Sequence, residues 1–264
     1  MAFLRAAFFL ICLPLMTWAG PAHDRLLEAV RIDEQLAVIS AEGLAGAQHI
    51  DETLLEGAGG GVWTEQVQQL YAPARLRPMI REQMTEVLDD DPALAVASFF
   101  ESAEGQRIIE VELSGRQAFL DPELEEAARG LAAGHEKSGL VTQFLEVNNL
   151  LDLNVDAGLN SDLQFLQGLS QGGALDMDET EMLESVWSEE PAMRIEVSGW
   201  LTAYYTLVFS ALSDIEIETY IAFSETESGR AYNGALFEAF NHVFEDVAFG
   251  LGQSAALFIT DNEI

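Results

Sequence analysis

Cysteine and lysine are almost absent from this sequence. The one cysteine is Cys12, which lies in an apolar N-terminal segment, and the one lysine is Lys137. Beyond that segment the chain has no thiol, which excludes a disulfide, a zinc–thiolate site and a cysteine nucleophile. Because the bulky Ile11 precedes Cys12, where a lipoprotein signal has a small residue, lipidation is not expected.

Basic residues of both kinds are scarce. The chain has 12 Lys and Arg against 45 Asp and Glu, a formal net charge of −33. Nucleic acids and anionic membranes attract a cationic surface, so this balance argues against either as the main partner. The acidity is compatible with a basic partner, with divalent cations, or with salty surroundings in which counterions screen the repulsion.

The first residues have the pattern of an export signal. A short basic segment, residues 1–5, precedes 13 uncharged and mostly apolar residues, 6–18. This stretch is shorter than the ~20 residues that a transmembrane helix needs. We predict a signal peptide over 1–19, cleaved after Ala19 or alternatively after Ala22, and hence a periplasmic or secreted protein without a transmembrane span after cleavage. A retained anchor is the alternative.

Two segments recur 124 residues further along the chain. The sequence Val62-Trp63-Thr64-Glu65 recurs as Val186-Trp187-Ser188-Glu189, and the segment 99–105 recurs as 223–229. The motif positions are Trp63, Phe99, Glu101, Ser102 and Gly105 in the first copy and Trp187, Phe223, Glu225, Thr226 and Gly229 in the second, where Arg230 follows the motif. The fixed offset predicts a tandem duplication.

The duplication divides the chain into two predicted units. We place the first at residues 20–145 and the second at 146–264. A further match, between 125–131 and 245–251, has an offset of 120 residues and predicts a four-residue insertion in the first copy near Leu120.

Helical signals cover nearly the whole chain, and alternation typical of strands is not sustained. Asp121-Pro122 and Pro191 are predicted helix starts, and Ser213 is a predicted cap. The segment 199–212 carries no charge, but a helix of this length spans only ~21 Å. We therefore interpret it as a buried core helix. The predicted fold is all-α, with two tandem copies of a multi-helix unit in one bundle-like body.

The motif shared by the copies, Phe-x-Glu-Ser/Thr-x-x-Gly, is typical of a corner between two helices. A hydroxyl residue caps the second helix, and a glycine allows the helices to approach closely. The alternative interpretation is that the two acids and two hydroxyls at matched positions line a cleft.

A longer form of this motif, (I/V/A)-x-F-x-x-S/T-x-x-G-R/Q, occurs at 97–106 and 221–230. With the signal peptide and the acidic helical body, it resembles the bacterial exported proteins grouped as DUF2059. The resemblance is strongest over roughly 69–130 and 193–255. It implies an all-helical envelope protein, and it implies no activity, because that family has no established biochemical function.

Patterns for catalysis and metal binding are missing from the sequence. It has no His-Glu-x-x-His, no Gly-x-Ser-x-Gly and no phosphate-binding loop. The segment from Asp176 begins like an EF-hand loop, but Glu181 replaces the required glycine and Trp187 the final glutamate. We predict no cofactor and no metal site, and catalytic residues stay unassigned.

Three functions remain open. The leading prediction is a non-enzymatic periplasmic binding module, whose groove between the two copies receives an envelope protein or peptide. The alternative is a hydrolase that uses carboxylates, with or without a divalent cation, and requires a buried carboxylate pair that faces one cavity. The third is a structural protein whose acidity reflects saline surroundings.

Overall fold

The computed structural model describes residues 21–132 and 134–261. The described part forms twelve helices and no strand, so the all-α prediction is confirmed. The helices are α1 Pro21–Ala29, α2 Ile32–Thr53, α3 Gly60–Leu70, α4 Pro73–Val87, α5 Asp90–Phe100, α6 Ala103–Ala118, α7 Pro122–Ala132, α8 Ser138–Val147, α9 Leu150–Gln171, α10 Glu179–Ser210, α11 Asp214–Ser224 and α12 Glu227–Asp261.

The predicted signal peptide, residues 1–19, lies outside the described residues. Helix α1 begins at Pro21, so the alternative cleavage after Ala22 would fall inside it. The buried side chains of α1, among them Leu26 and Leu27, belong to the main core.

Some helices of two series, α1–α7 and α8–α12, have matching positions along the chain. Helices α5 and α11 start at residues 90 and 214, and α6 and α12 start at 103 and 227, the predicted offset of 124. Helices α2 and α9 each have 22 residues. Each also follows a left-handed residue, Arg31 at φ 54° and Asn149 at φ 49°. The duplication itself stays a prediction, which these bounds support.

One predicted helix start needs correction. Pro191 lies inside α10 and does not begin a helix, because Val186 before it and Val197 after it both pack toward α9. The predicted boundary between residues 145 and 146 lies within α8, and the division into two units stays a prediction. By contrast, Ser213 caps α11 as predicted, and its hydroxyl accepts from the Glu216 amide at 3.3 Å.

The two series are packed into each other. Helix α12 lies along α9 of its own series and along α4 of the other, while α10 lies along α9 and α7. The largest core therefore combines α1–α5 with apolar residues of α12, including Ala239, Val243 and Val247. A second core combines Ile108 of α6 with residues of α8, α10 and α11.

The two helix corners meet between the series. The rings of Phe99 and Phe223 stack with centroids 3.8 Å apart and planes 3° apart. Ser102 Oγ accepts from the Gly105 amide at 3.0 Å, and Thr226 Oγ1 accepts from the Gly229 amide at 2.9 Å. Both hydroxyls thus cap the helix that follows them.

The uncharged segment 199–212 forms the C-terminal part of α10. Leu201, Ala203 and Phe209 are buried there in the second core, as the sequence predicts for a core helix. Among the described residues, no helix has the length and apolar character needed to cross a membrane.

Candidate functional site

A cavity of about 260 Å³ lies between the two helix series. Helices α6, α10, α11 and α12 supply most of its wall, and α2, α5, α8 and α9 contribute the rest. A mostly apolar cavity with a few polar groups is the common form of a ligand site. The aromatic residues that border it include Phe144, Trp200, Tyr204, Tyr205, Tyr220 and Tyr232.

Helices α6 and α12 both border this cavity through corresponding positions. At each pair of positions the offset is 124 residues, the same as in the corner motif. The cavity therefore lies where the two proposed copies face each other. The pairs are Ile109 and Asn233, Glu112 and Leu236, Leu113 and Phe237, and Arg116 and Phe240.

Glu112 is the carboxylate of this site. It is half-buried and borders the cavity, and its Oε1 accepts a hydrogen bond from the Tyr220 hydroxyl at 3.1 Å. Burial raises the pKa of Glu112 to about 7, although the Tyr220 hydrogen bond and the charge of Arg116 favour the ionised form. The Glu112 carboxyl therefore changes its charge near neutral pH.

Four of the five tyrosines of the chain surround Glu112. The Tyr204 hydroxyl donates to the Glu112 backbone carbonyl at 2.9 Å. Within the described residues, the hydroxyls of Tyr205 and Tyr232 have no hydrogen-bond partner. Burial, and then the charge of Glu112, raise the pKa of Tyr205 and Tyr232, so both phenols stay neutral at physiological pH. These hydroxyls are available to a ligand.

Arg116 borders the same cavity but already has a partner. Its Nε and Nη2 each donate to a carboxylate oxygen of Glu42 at 2.8 Å. This bidentate pair is internally neutral. Among the described residues, no ion pair joins Glu112 to a basic side chain.

Most of the predicted motif residues lie in the packed helix corners or on the surface, and not on the cavity. Glu101 is exposed and accepts from Arg25 Nε at 2.7 Å, and Glu225 is also exposed, so neither acid reaches the cavity. The alternative of a cleft lined by these acids therefore does not apply to this cavity. Phe223 and Gly229 do border the cavity, and Arg230 donates to the Glu225 carbonyl.

The two matched tryptophans have opposite surroundings. Trp63 is 2% exposed and its Nε1 donates to the Ala47 carbonyl at 2.8 Å, whereas Trp187 is 59% exposed. Their shared sequence therefore does not correspond to a shared role.

Among these residues the sequence patterns indicated only that Tyr204 and Tyr205 lie in a core helix and need polar partners, and Glu112 was not predicted as a site residue. One signal was present: Glu112 lies within the apolar run Ile108, Ile109, Val111 and Leu113 of α6, all buried. An acid on the buried face of a helix is uncommon unless it has a partner or a function.

Acidic clusters elsewhere form caps. Asp178 accepts from the Glu181 amide at 2.9 Å, and Glu181 accepts from the Asp178 amide at 2.9 Å, which together form a capping box at the start of α10. In the described part of the chain, no group of three or more His, Cys, Asp or Glu is arranged to hold a metal ion.

Comparisons with known proteins find no matching family model, no matching curated protein and no matching solved structure. The resemblance to DUF2059 therefore stays a prediction. What the fold and the site define is a class: an all-α protein with an aromatic cavity around one carboxyl group.

Proposed function

We propose that this protein is a non-enzymatic binding module of the bacterial periplasm, and that its cavity receives part of a ligand from the cell envelope. One observation carries the proposal: the cavity of about 260 Å³ has a mostly apolar, aromatic wall that also presents polar side chains. The ligand is the exposed group of an envelope protein or peptide, or a small envelope component. The predicted export signal supplies the location.

The position of the cavity supports this function. It lies between corresponding faces of α6 and α12, and a duplicated helical unit forms a groove between its copies. The available hydroxyls of Tyr205 and Tyr232 can orient a bound group.

A carboxylate hydrolase is the second candidate, because a pKa of about 7 for Glu112 suits a general acid or base. Hydrolysis by paired carboxylates requires a second acid on the same cavity. Among the described residues that border the cavity, Glu112 is the only carboxylate. The binding function therefore has the stronger support.

Thermal unfolding of the purified protein, with and without fractionated envelope extract, tests the proposal. At least one fraction should raise the melting temperature. Leu236→Trp, which fills the cavity, should abolish the rise, while Ala231→Trp on the exposed side of α12 should keep it. Circular dichroism checks that both variants fold.

Two results would count against the binding module. If no fraction stabilises the wild-type protein, the cavity has no envelope ligand. If mass spectrometry shows that the stabilising compound is consumed, and that Glu112→Gln stops its consumption, the hydrolase replaces the binding module.

A further inference from the structure

The charges around the cavity identify the ligand group that fits it. Resting on the proposed function, we infer that the cavity binds an organic ammonium ion, whose charge lies against the Glu112 carboxylate and whose apolar body lies against the surrounding aromatic rings. Geometry, charge balance and the overall field of the protein each support this class of ligand.

Glu112 is the cavity group that lacks a counter-ion. Arg116, one turn further along α6, directs its guanidinium to Glu42 through two bonds of 2.8 Å. A neutral ligand would leave an ionised Glu112 uncompensated, and an anion would add repulsion. A cation supplies the missing charge, and pairing makes a buried carboxylate less costly.

The rings near Glu112 form a wall that suits a cation. Phe144 lies 4.7 Å from Tyr220 and 4.8 Å from Tyr205, measured between ring centroids, and Tyr204 lies 4.9 Å from Tyr205. All four rings border the cavity. Aromatic rings attract ammonium groups through their quadrupoles, and sites made of several rings recognise quaternary ammonium groups and methylated lysine.

The field of the whole protein favours the same ligand. The net charge is −33, and every basic side chain in the described ranges except Arg230 is in an ion pair with an acid. The surplus carboxylates attract cations toward the surface and repel anions.

Glu112 is also the group that makes binding depend on pH. The titratable and charged groups that face it are Arg116 on α6, Glu42 on α2 through Arg116, Tyr204 and Tyr205 on α10, Tyr220 on α11 and Tyr232 on α12. Helices α8 and α9 add only uncharged residues. Because the tyrosines stay neutral, Glu112 is the group that changes charge between pH 6 and pH 8, and the ammonium ion binds its ionised form.

Calorimetric titration with three probes tests this inference. Benzyltrimethylammonium carries the cation, neopentylbenzene is its neutral carbon isostere, and benzenesulfonate is the anionic probe. At pH 8 the cation should bind at least tenfold more tightly than either other probe. Its affinity should fall about tenfold at pH 6, because a carboxyl of pKa near 7 is then mostly protonated.

Two variants separate the charge from the shape of the cavity. Glu112→Gln should remove the preference for the cation and its pH dependence, while it still binds the neutral isostere. The matched control, Glu110→Gln on the exposed side of α6, should bind as the wild type does.

The outcomes distinguish this inference from the function on which it rests. If the isostere or the sulfonate binds as tightly as the cation, or if Glu112→Gln keeps the preference, the ammonium inference is overturned while the cavity remains a binding site. If no probe binds, the inference is also overturned. The proposed function is contradicted only if envelope extract also fails to raise the melting temperature of the protein.

Discussion

At the scale of single residues, Glu112 links the stability of the fold to pH. Burial raises its pKa from 4.5 to about 7, so the folded state holds this proton more tightly than the unfolded state. Its contribution to stability is complete below pH 4.5 and is lost as the pH rises through 7.

Glu112→Gln should therefore remove one component of the pH dependence. Between pH 5 and pH 8, we expect the free energy of unfolding of the variant to rise by about 2.5 kcal/mol relative to that of the wild type. Urea unfolding at both pH values measures it, and Glu110→Gln serves as the control. A difference between variant and wild type that does not change with pH would contradict the raised pKa.

The two matched tryptophans also differ at this scale. Trp63→Ala should cost about 3–5 kcal/mol, because it empties a fully buried site and removes the hydrogen bond to Ala47. Trp187→Ala should change stability by less than about 0.5 kcal/mol, since its ring is mostly exposed. Chemical denaturation of both variants compares them directly, and equal losses would mean that the two sites have similar surroundings.

At the scale of helices, the two corners depend on glycine for a close approach. A Cβ atom at Gly105 would lie 2.2 Å from the Phe99 carbonyl oxygen, and one at Gly229 would lie 2.1 Å from that of Phe223. Both oxygens belong to the preceding helix, α5 or α11, so relief requires that the helices separate.

We expect Gly105→Ala and Gly229→Ala to destabilise the protein by about 2 kcal/mol or more. Gly130→Ala and Gly234→Ala are matched controls, because a Cβ atom at either position meets no atom within 4 Å. Both lie inside helices, where alanine replaces glycine with a gain of about 0.5–1 kcal/mol. Melting temperatures of the four variants give the comparison, and a loss in the controls would show that the close approach is not the cause.

At the same scale, α10 stays continuous although it contains Pro191. Pro191 lacks a backbone N–H donor, yet the 32-residue helix α10 continues through it. Apolar contacts with α9 on both sides of the proline hold the two halves in line. A local signal for a helix start was thus overridden by burial.

At the scale of the whole molecule, charge is the dominant feature. With a net charge of −33, repulsion among surplus carboxylates opposes the compact state. Raising NaCl from 0.05 to 0.5 M shortens the Debye length to about 4 Å, so the melting temperature should rise. KCl should act equally, because screening does not distinguish monovalent ions.

Calcium chloride at equal ionic strength is the control for a specific site. Stabilisation by calcium beyond that of NaCl would reveal a cation site that the described residues do not show as a cluster. A melting temperature that does not respond to salt would contradict the role of repulsion.

The sequence by itself determined the properties that depend on near neighbours. The all-α class, the hydroxyl caps at Ser102 and Thr226 and the core helix over 199–212 follow from residues three or four positions apart. The starts of α5 and α11 are separated by the same 124 residues as the recurring sequence segments.

Only the tertiary structure decided the site. The hydroxyls that bond to Glu112 come from Tyr204 and Tyr220, which lie 92 and 108 positions away along the chain. No local pattern brings such distant residues together, because their contact depends on how α6, α10 and α11 pack. The same packing determines that Trp63 is buried and Trp187 exposed, although their neighbours in sequence match. Burial, and with it the pKa of Glu112, is a property of the whole fold.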